Sequence, residues 1–111
     1  MSLSDQQADF SKKLVELLCW AYQTKPNIKL VLTWGERDFE TQQRLVQAKK
    51  SWTLNSLHLK KLAHDLILFD GPTPLYAYED YLWLGEKAEE LGLKWGGRWK
   101  QRDACHFEYG F

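Results

Sequence analysis

The sequence predicts an α+β fold, a small and largely antiparallel sheet with flanking helices. Three observations carry that expectation. An amphipathic helical stripe opens the chain, an eight-residue apolar segment of strand character sits in its second half, and clusters of Gly, Pro, Asp and Asn cut the periodic segments short. At 111 residues there is room for one domain, spanning 1–111, and for one core. Hydrophobic residues make up 44% and aromatics 14%, six of them Trp, which is ample bulk for a packed interior and too much for a disordered chain.

From Asp5 to Thr24, Phe10, Leu14, Leu17, Leu18 and Ala21 recur at helical spacing on one face, with Ser4 or Asp5 as the expected cap. Lys25-Pro26-Asn27 ends that helix, and Ile28 to Thr33 reads as a short strand. Gly35-Glu36-Arg37 makes a turn, and Asp38 caps a second helix, Phe39 to Ala48, which is rich in helix formers. Positions 49–61 show no period and are expected to form a loop into the strand Leu62 to Phe69, which is broken only by His64 and Asp65. After the turn cluster 70–74 comes a helix from Tyr78 to Leu91 with Gly92 as its C-terminal cap, then a Trp-Gly-Gly turn and a final strand near Cys105 to Tyr109.

Lys+Arg and Asp+Glu balance at 15 each, so a strongly basic surface that captures nucleic acid or anionic lipid is not expected. No stretch approaches the roughly 20 apolar residues of a membrane span, and the N-terminus lacks a basic start followed by an apolar run. The chain is therefore expected to be cytoplasmic as synthesised and to act as a monomer without membrane insertion. Two cysteines, Cys19 and Cys105, give little support for a disulfide framework and read as core residues.

The three histidines are more informative. An ionised Asp65 inside an apolar strand is costly unless a cation or a set of donors compensates it. Alternation puts Asp65 on one face with Ala63 and Ile67, and His64 on the other with Leu62 and Leu66, so the two neighbours do not serve one site. His58, freed from strand parity by the intervening turn, reaches the Asp65 side. With His106 near the C-terminus the set becomes two imidazoles and a carboxylate, leaving a fourth tetrahedral position open, as in catalytic zinc sites. Asp103 is the expected general base. Strand parity opposes it to His106, so this role requires Asp103 to lie in the bend that enters the last strand; Glu108, on the face of His106, is the fallback.

These residues resemble the family of zinc peptidases of peptidoglycan that includes D-alanyl-D-alanine carboxypeptidases and dipeptidases and the L-alanyl-D-glutamate endopeptidases of phage endolysins, and that shares its fold with the Hedgehog signalling domain. The family pattern is Ser-x-His, then Gly-x-Ala-x-Asp, then a distant Glu or Asp, two residues, and His. It is matched at Ser56, His58, Ala63, Asp65, Asp103 and His106. The resemblance implies that His58, Asp65 and His106 bind Zn2+ and that Asp103 is the base. Gly35, Arg37 and Gln42 or Gln43 match a further Gly-x-Arg and Gln-bearing helix, which implies that Arg37 holds a substrate oxygen or carboxylate and puts Ser56 with it among the substrate-binding positions. One departure is Lys61, where the family usually has Gly. Glycine at that position permits a positive φ or close packing, so the shape of the turn is the feature that Lys61 bears on.

The function these readings imply is a zinc metallopeptidase of the peptidoglycan stem peptide, of endopeptidase or carboxypeptidase type. The absence of a leader points to a phage-type endolysin that reaches the cell wall after release. The alternative is a non-catalytic zinc-stabilised binding domain on the same fold, and a weaker one is a wall-binding module that uses its aromatics. Trp95, Trp99, Gly96 and Gly97 fit either a core or one wall of a cleft.

Overall fold

The computed structural model describes residues 1–33 and 60–111. The expected turn at Gly35, the helix Phe39 to Ala48 and the sites Arg37, Ser56 and His58 lie outside the described residues. Helix α1 spans Leu3–Thr24 and buries Phe10, Leu14, Leu17 and Ala21, the stripe that its spacing predicts. Its cap is Ser2 rather than Ser4 or Asp5. The Ser2 side chain accepts from the Asp5 backbone N–H while the Asp5 carboxylate reaches back to the Ser2 N–H, a reciprocal pair that satisfies two donors at once and fixes the start two residues earlier. Cys19 is exposed, not packed, because position 19 falls off the stripe.

Strands β1 (Lys29–Thr33), β2 (Ala63–Asp70), β3 (Thr73–Pro74), β4 (Leu93–Trp95) and β5 (His106–Tyr109) make one antiparallel sheet, and α2 (Tyr78–Glu90) lies between β3 and β4. The strand order is β1-β2-β5-β4, with β3 also pairing with β2. This is the α+β architecture that the sequence predicts. Strand β4, absent from the sequence reading, is only three residues long and leads straight into the 3₁₀ turn Gly96–Arg98. Its alternation is too brief to register as a periodic signal. Gly92 does sit just past α2, at φ 89°, and its N–H bonds to the Glu89 carbonyl.

The two faces of the pleat divide the labour. His64, Leu66 and Leu68 of β2, Phe107 and Tyr109 of β5 and Leu93 and Trp95 of β4 share one face by register. Apart from the half-buried His64, all of these join Phe10, Leu14, Leu17, Tyr81, Leu84 and Ala88 of the helices in a single buried cluster. Asp65, His106 and Glu108 stand on the opposite face. Tyr81 ties α2 to the sheet: its hydroxyl donates to the Leu75 carbonyl at 2.7 Å and accepts from the Leu68 N–H at 2.8 Å. At the other end, the Tyr109 hydroxyl donates to Asp9 of α1 at 2.8 Å.

Trp95 is the keystone of the helix-to-sheet contact. Its ring is buried, stacks on Tyr78 at 5.2 Å between centroids, and lies hard against Gly85 of α2 and Gly97 of the adjoining turn. In most helix interiors Gly→Ala gains about 1 kcal/mol. Here the added methyl group would fall within the indole, and overpacking costs about 1–3 kcal/mol, more than propensity returns at a ring this tightly enclosed. Gly85→Ala is therefore expected to lower stability by about 1–2 kcal/mol, seen as a lower urea midpoint with an unchanged slope. A midpoint that rises would show that the ring yields freely.

Lys61 adopts φ 57°, the one described non-glycine residue in the left-handed region. The backbone thus retains the conformation that glycine would hold there, and an L residue bears the cost, about 1–2 kcal/mol. Lys61→Gly is expected to be more stable than Lys61→Val by at least about 1 kcal/mol, since valine keeps the strain and adds β-branched crowding. Thermal melts of the two variants, compared directly, measure the difference, and equal melting temperatures would remove the strain from consideration.

Candidate metal centre

Asp65 and His106 are Cα partners across the β2–β5 ladder, and Thr33 of β1 is the partner of Asp65 on its other side. Directly opposed residues in an antiparallel pair project to the same face with Cβ atoms about 5 Å apart. Register alone therefore brings a carboxylate and an imidazole together: His106 Nδ1 lies 3.5 Å from Asp65 Oδ1. Both residues are buried.

Asp103 joins them through the loop rather than through a strand. The His106 N–H donates to the Asp103 carbonyl at 3.1 Å, closing a tight turn over 103–106, so the bend that the base role requires is present. The Gly96 carbonyl accepts from the N–H groups of Trp99 and Asp103, at 3.2 and 3.0 Å, and draws the two ends of the loop together. A side chain at 96 would strike the Asp103 carbonyl and the His106 Cβ, which is why glycine stands there. From beneath, Trp95 Nε1 donates to the Ala104 carbonyl at 2.8 Å. Ligand atoms of Asp65, Asp103 and His106 all come within 4.8 Å of one another, with Asp65 and His106 buried and Asp103 exposed. Hard oxygen donors and one imidazole in so small a space are a donor set that zinc accepts, and a concentration of negative charge that a divalent cation would offset.

The imidazole is held on all sides. Nε2 lies 2.8 Å from Glu108 Oε1, and the Trp99 ring leans on it at 4.7 Å between centroids, tilted by 47°. Burial works against the charged imidazolium, but the carboxylates of Asp65 and Glu108 outweigh it and raise the His106 pKa to about 9. A proton and a metal ion would therefore compete for the same ring. Burial also pushes the neighbouring Cys105 thiol up to about 11, against a smaller lowering by the Tyr81 hydroxyl, so at neutral pH it is a protonated core group, in keeping with its sequence reading.

Of the predicted site residues the structure brings together Asp65, Asp103 and His106; His58, Arg37 and Ser56 are outside the described residues. His64 faces the other way, its Nδ1 3.2 Å from the Asp65 carbonyl, and lines a cavity of about 360 Å³ with Gln7, Phe10, Ser11 and Leu14 of α1. Sequence reasoning missed the contact of Trp99 with His106 and the anchoring of Ala104 by Trp95. Neither leaves a local signal, since both join residues through the folded loop. Thr33 was missed as well: its hydroxyl is buried in the Asp65 row with no hydrogen-bond partner among the described residues.

The comparisons with known proteins bear on the family and the fold. No curated protein matches the chain at a significant level. Among solved structures, the L-Ala D-Glu endopeptidase ChiX of Serratia marcescens is similar in fold, with a TM-score of 0.63 and 25% sequence identity over 74% of this chain and 67% of that one. The family model for D-alanyl-D-alanine carboxypeptidase matches residues 49–109, more than half of the chain, a stretch that carries both the Asp65 strand and the Asp103 to His106 turn. The chain therefore belongs to the D-alanyl-D-alanine carboxypeptidase family of peptidoglycan peptidases.

Proposed function

We propose that the chain is a zinc-dependent endopeptidase that hydrolyses the bond between L-alanine and D-glutamate in the peptidoglycan stem peptide. The observation that carries this reading is the convergence of Asp65, Asp103 and His106 within 4.8 Å, two buried and one exposed. Family membership supports a peptidase, and the likeness to the Serratia endopeptidase supports the choice of bond. In this reading Asp65 and His106, together with His58, hold the ion. The chemistry that zinc supplies in such a donor set is Lewis-acid polarisation of a carbonyl and a lowered pKa for water at its open position.

The chain's own residues do the rest. Asp103, exposed at the rim, accepts a proton from the attacking water and passes it to the departing amine, a task for which a solvent-reachable carboxylate is suited and a buried one is not. Arg37 and Ser56 hold the substrate, Arg37 by its forked donors on a carbonyl or carboxylate oxygen. A net charge of zero leaves recognition to such local groups. We further assign the protein to the phage-type endolysins, a monomer kept in the cytoplasm until it is released to the wall.

Purified protein is expected to solubilise peptidoglycan, to stop in the presence of a chelator and to recover with zinc. Asp103→Asn should keep its zinc and lose turnover by about 10²–10⁴-fold, whereas Asp65→Ala and His106→Ala should lose the metal itself. Full activity in Asp103→Asn would remove it as the base. Mass spectrometry of the digest identifies the bond: new L-alanine and D-glutamate ends support the endopeptidase, release of free D-alanine supports a carboxypeptidase, and bound zinc with an intact wall supports a binding domain.

A further inference from the structure

We infer that Glu108 is a positioning residue that fixes which nitrogen of His106 is offered to the metal. The inference rests on the zinc reading and goes beyond it. Glu108 is two residues after His106 on β5, so both side chains leave the same face. Their side chains are 16% and 8% exposed, and Oε1 lies 2.8 Å from Nε2, a charge-assisted distance in a place where few waters can compete. Glu108 is not one of the three residues that converge within 4.8 Å, since it meets the ring on the edge away from Asp65.

That arrangement has a chemical consequence. An ionised carboxylate only accepts hydrogen bonds, so the neutral ring places its one N–H on Nε2 and keeps its lone pair on Nδ1, the nitrogen that faces Asp65. Without Glu108 the proton would be free to move to Nδ1, where it would block the metal-facing edge. The same contact stops the ring from turning about its axis, with Trp99 closing the remaining side. Carboxylate partners of this kind orient metal-bound imidazoles and make them more basic. The cross-strand partner of Glu108 on β2 is Ala63, a buried residue on the same face.

The test needs no substrate. Zinc affinity of the full chain, measured by competition with a chromophoric chelator, is expected to fall about 10- to 100-fold in Glu108→Ala and by less in Glu108→Gln, whose amide oxygen still accepts from Nε2–H. Isotope-labelled histidine NMR of the zinc-loaded wild type should show the metal on Nδ1 of His106 with Nε2 protonated, a readout that does not depend on any variant folding. Coordination through Nε2, or wild-type affinity in Glu108→Ala, would overturn the role of Glu108 while leaving the zinc reading intact. A wild-type chain that takes up no zinc would overturn both. Equal melting curves for the metal-free wild type and Glu108→Gln separate lost positioning from lost folding.

Discussion

The alignment of β5 on β2 is the constraint on which the rest of the molecule depends. It sets Asp65 against His106, and in the same step it sets His64 against Phe107. Because side chains alternate, a slip of one residue would turn Asp65 and His106 to opposite faces and bury polar groups among the helices. That register does not rest on the carboxylate and imidazole alone, since much of their attraction at 3.5 Å goes to offset the cost of burying them. It is held from behind, by Leu66, Leu68, Phe107 and Trp95 packed on α1 and α2. The apolar face thus specifies the geometry of the polar one.

The loop between β4 and β5 extends that control beyond the sheet. Its residues 98–102 are exposed in large part, yet its ends are fixed by the Gly96 carbonyl, the turn at 103–106 and the indole of Trp95. A hydrogen bond such as that from Trp95 Nε1 contributes only about 1 kcal/mol net. Its value lies in placement: Ala104 is held immediately beside Asp103, so a core residue of the helix contact determines where an exposed carboxylate stands. Small residues at 85, 96 and 97 are needed because three backbones must come close to one large ring or to each other.

Much of this was legible in the sequence, and for physical reasons. The period of α1 and the alternation in β2 are local properties, and parity alone separated Asp65 from His64. The requirement that Asp103 sit in a bend also came from parity, and the turn is there. The features that were not legible depend on distant partners or on competition between nearby ones. Ser2, Ser4 and Asp5 all favour a helix start, and only the reciprocal Ser2–Asp5 pair decides among them. Trp95 was ambiguous between core and cleft wall because its neighbours, Gly85 and Tyr78, are ten or more positions away. Glu108 looked like a spare base by its face, whereas its carboxylate is engaged on the far edge of the ring.

Electrostatics give the candidate centre its character. In a chain of zero net charge, the described residues Asp65, Asp103 and Glu108 all gather around one imidazole. Carboxylates this close together repel one another, and Asp65 and Glu108, both largely buried, also lose hydration. A proton on His106 offsets part of this cost, which is the sense of its raised pKa of about 9. Among the described residues one imidazole faces three carboxylates, a setting that would also suit a doubly charged ion. The hydrophobic packing behind these residues is what keeps the arrangement from relaxing.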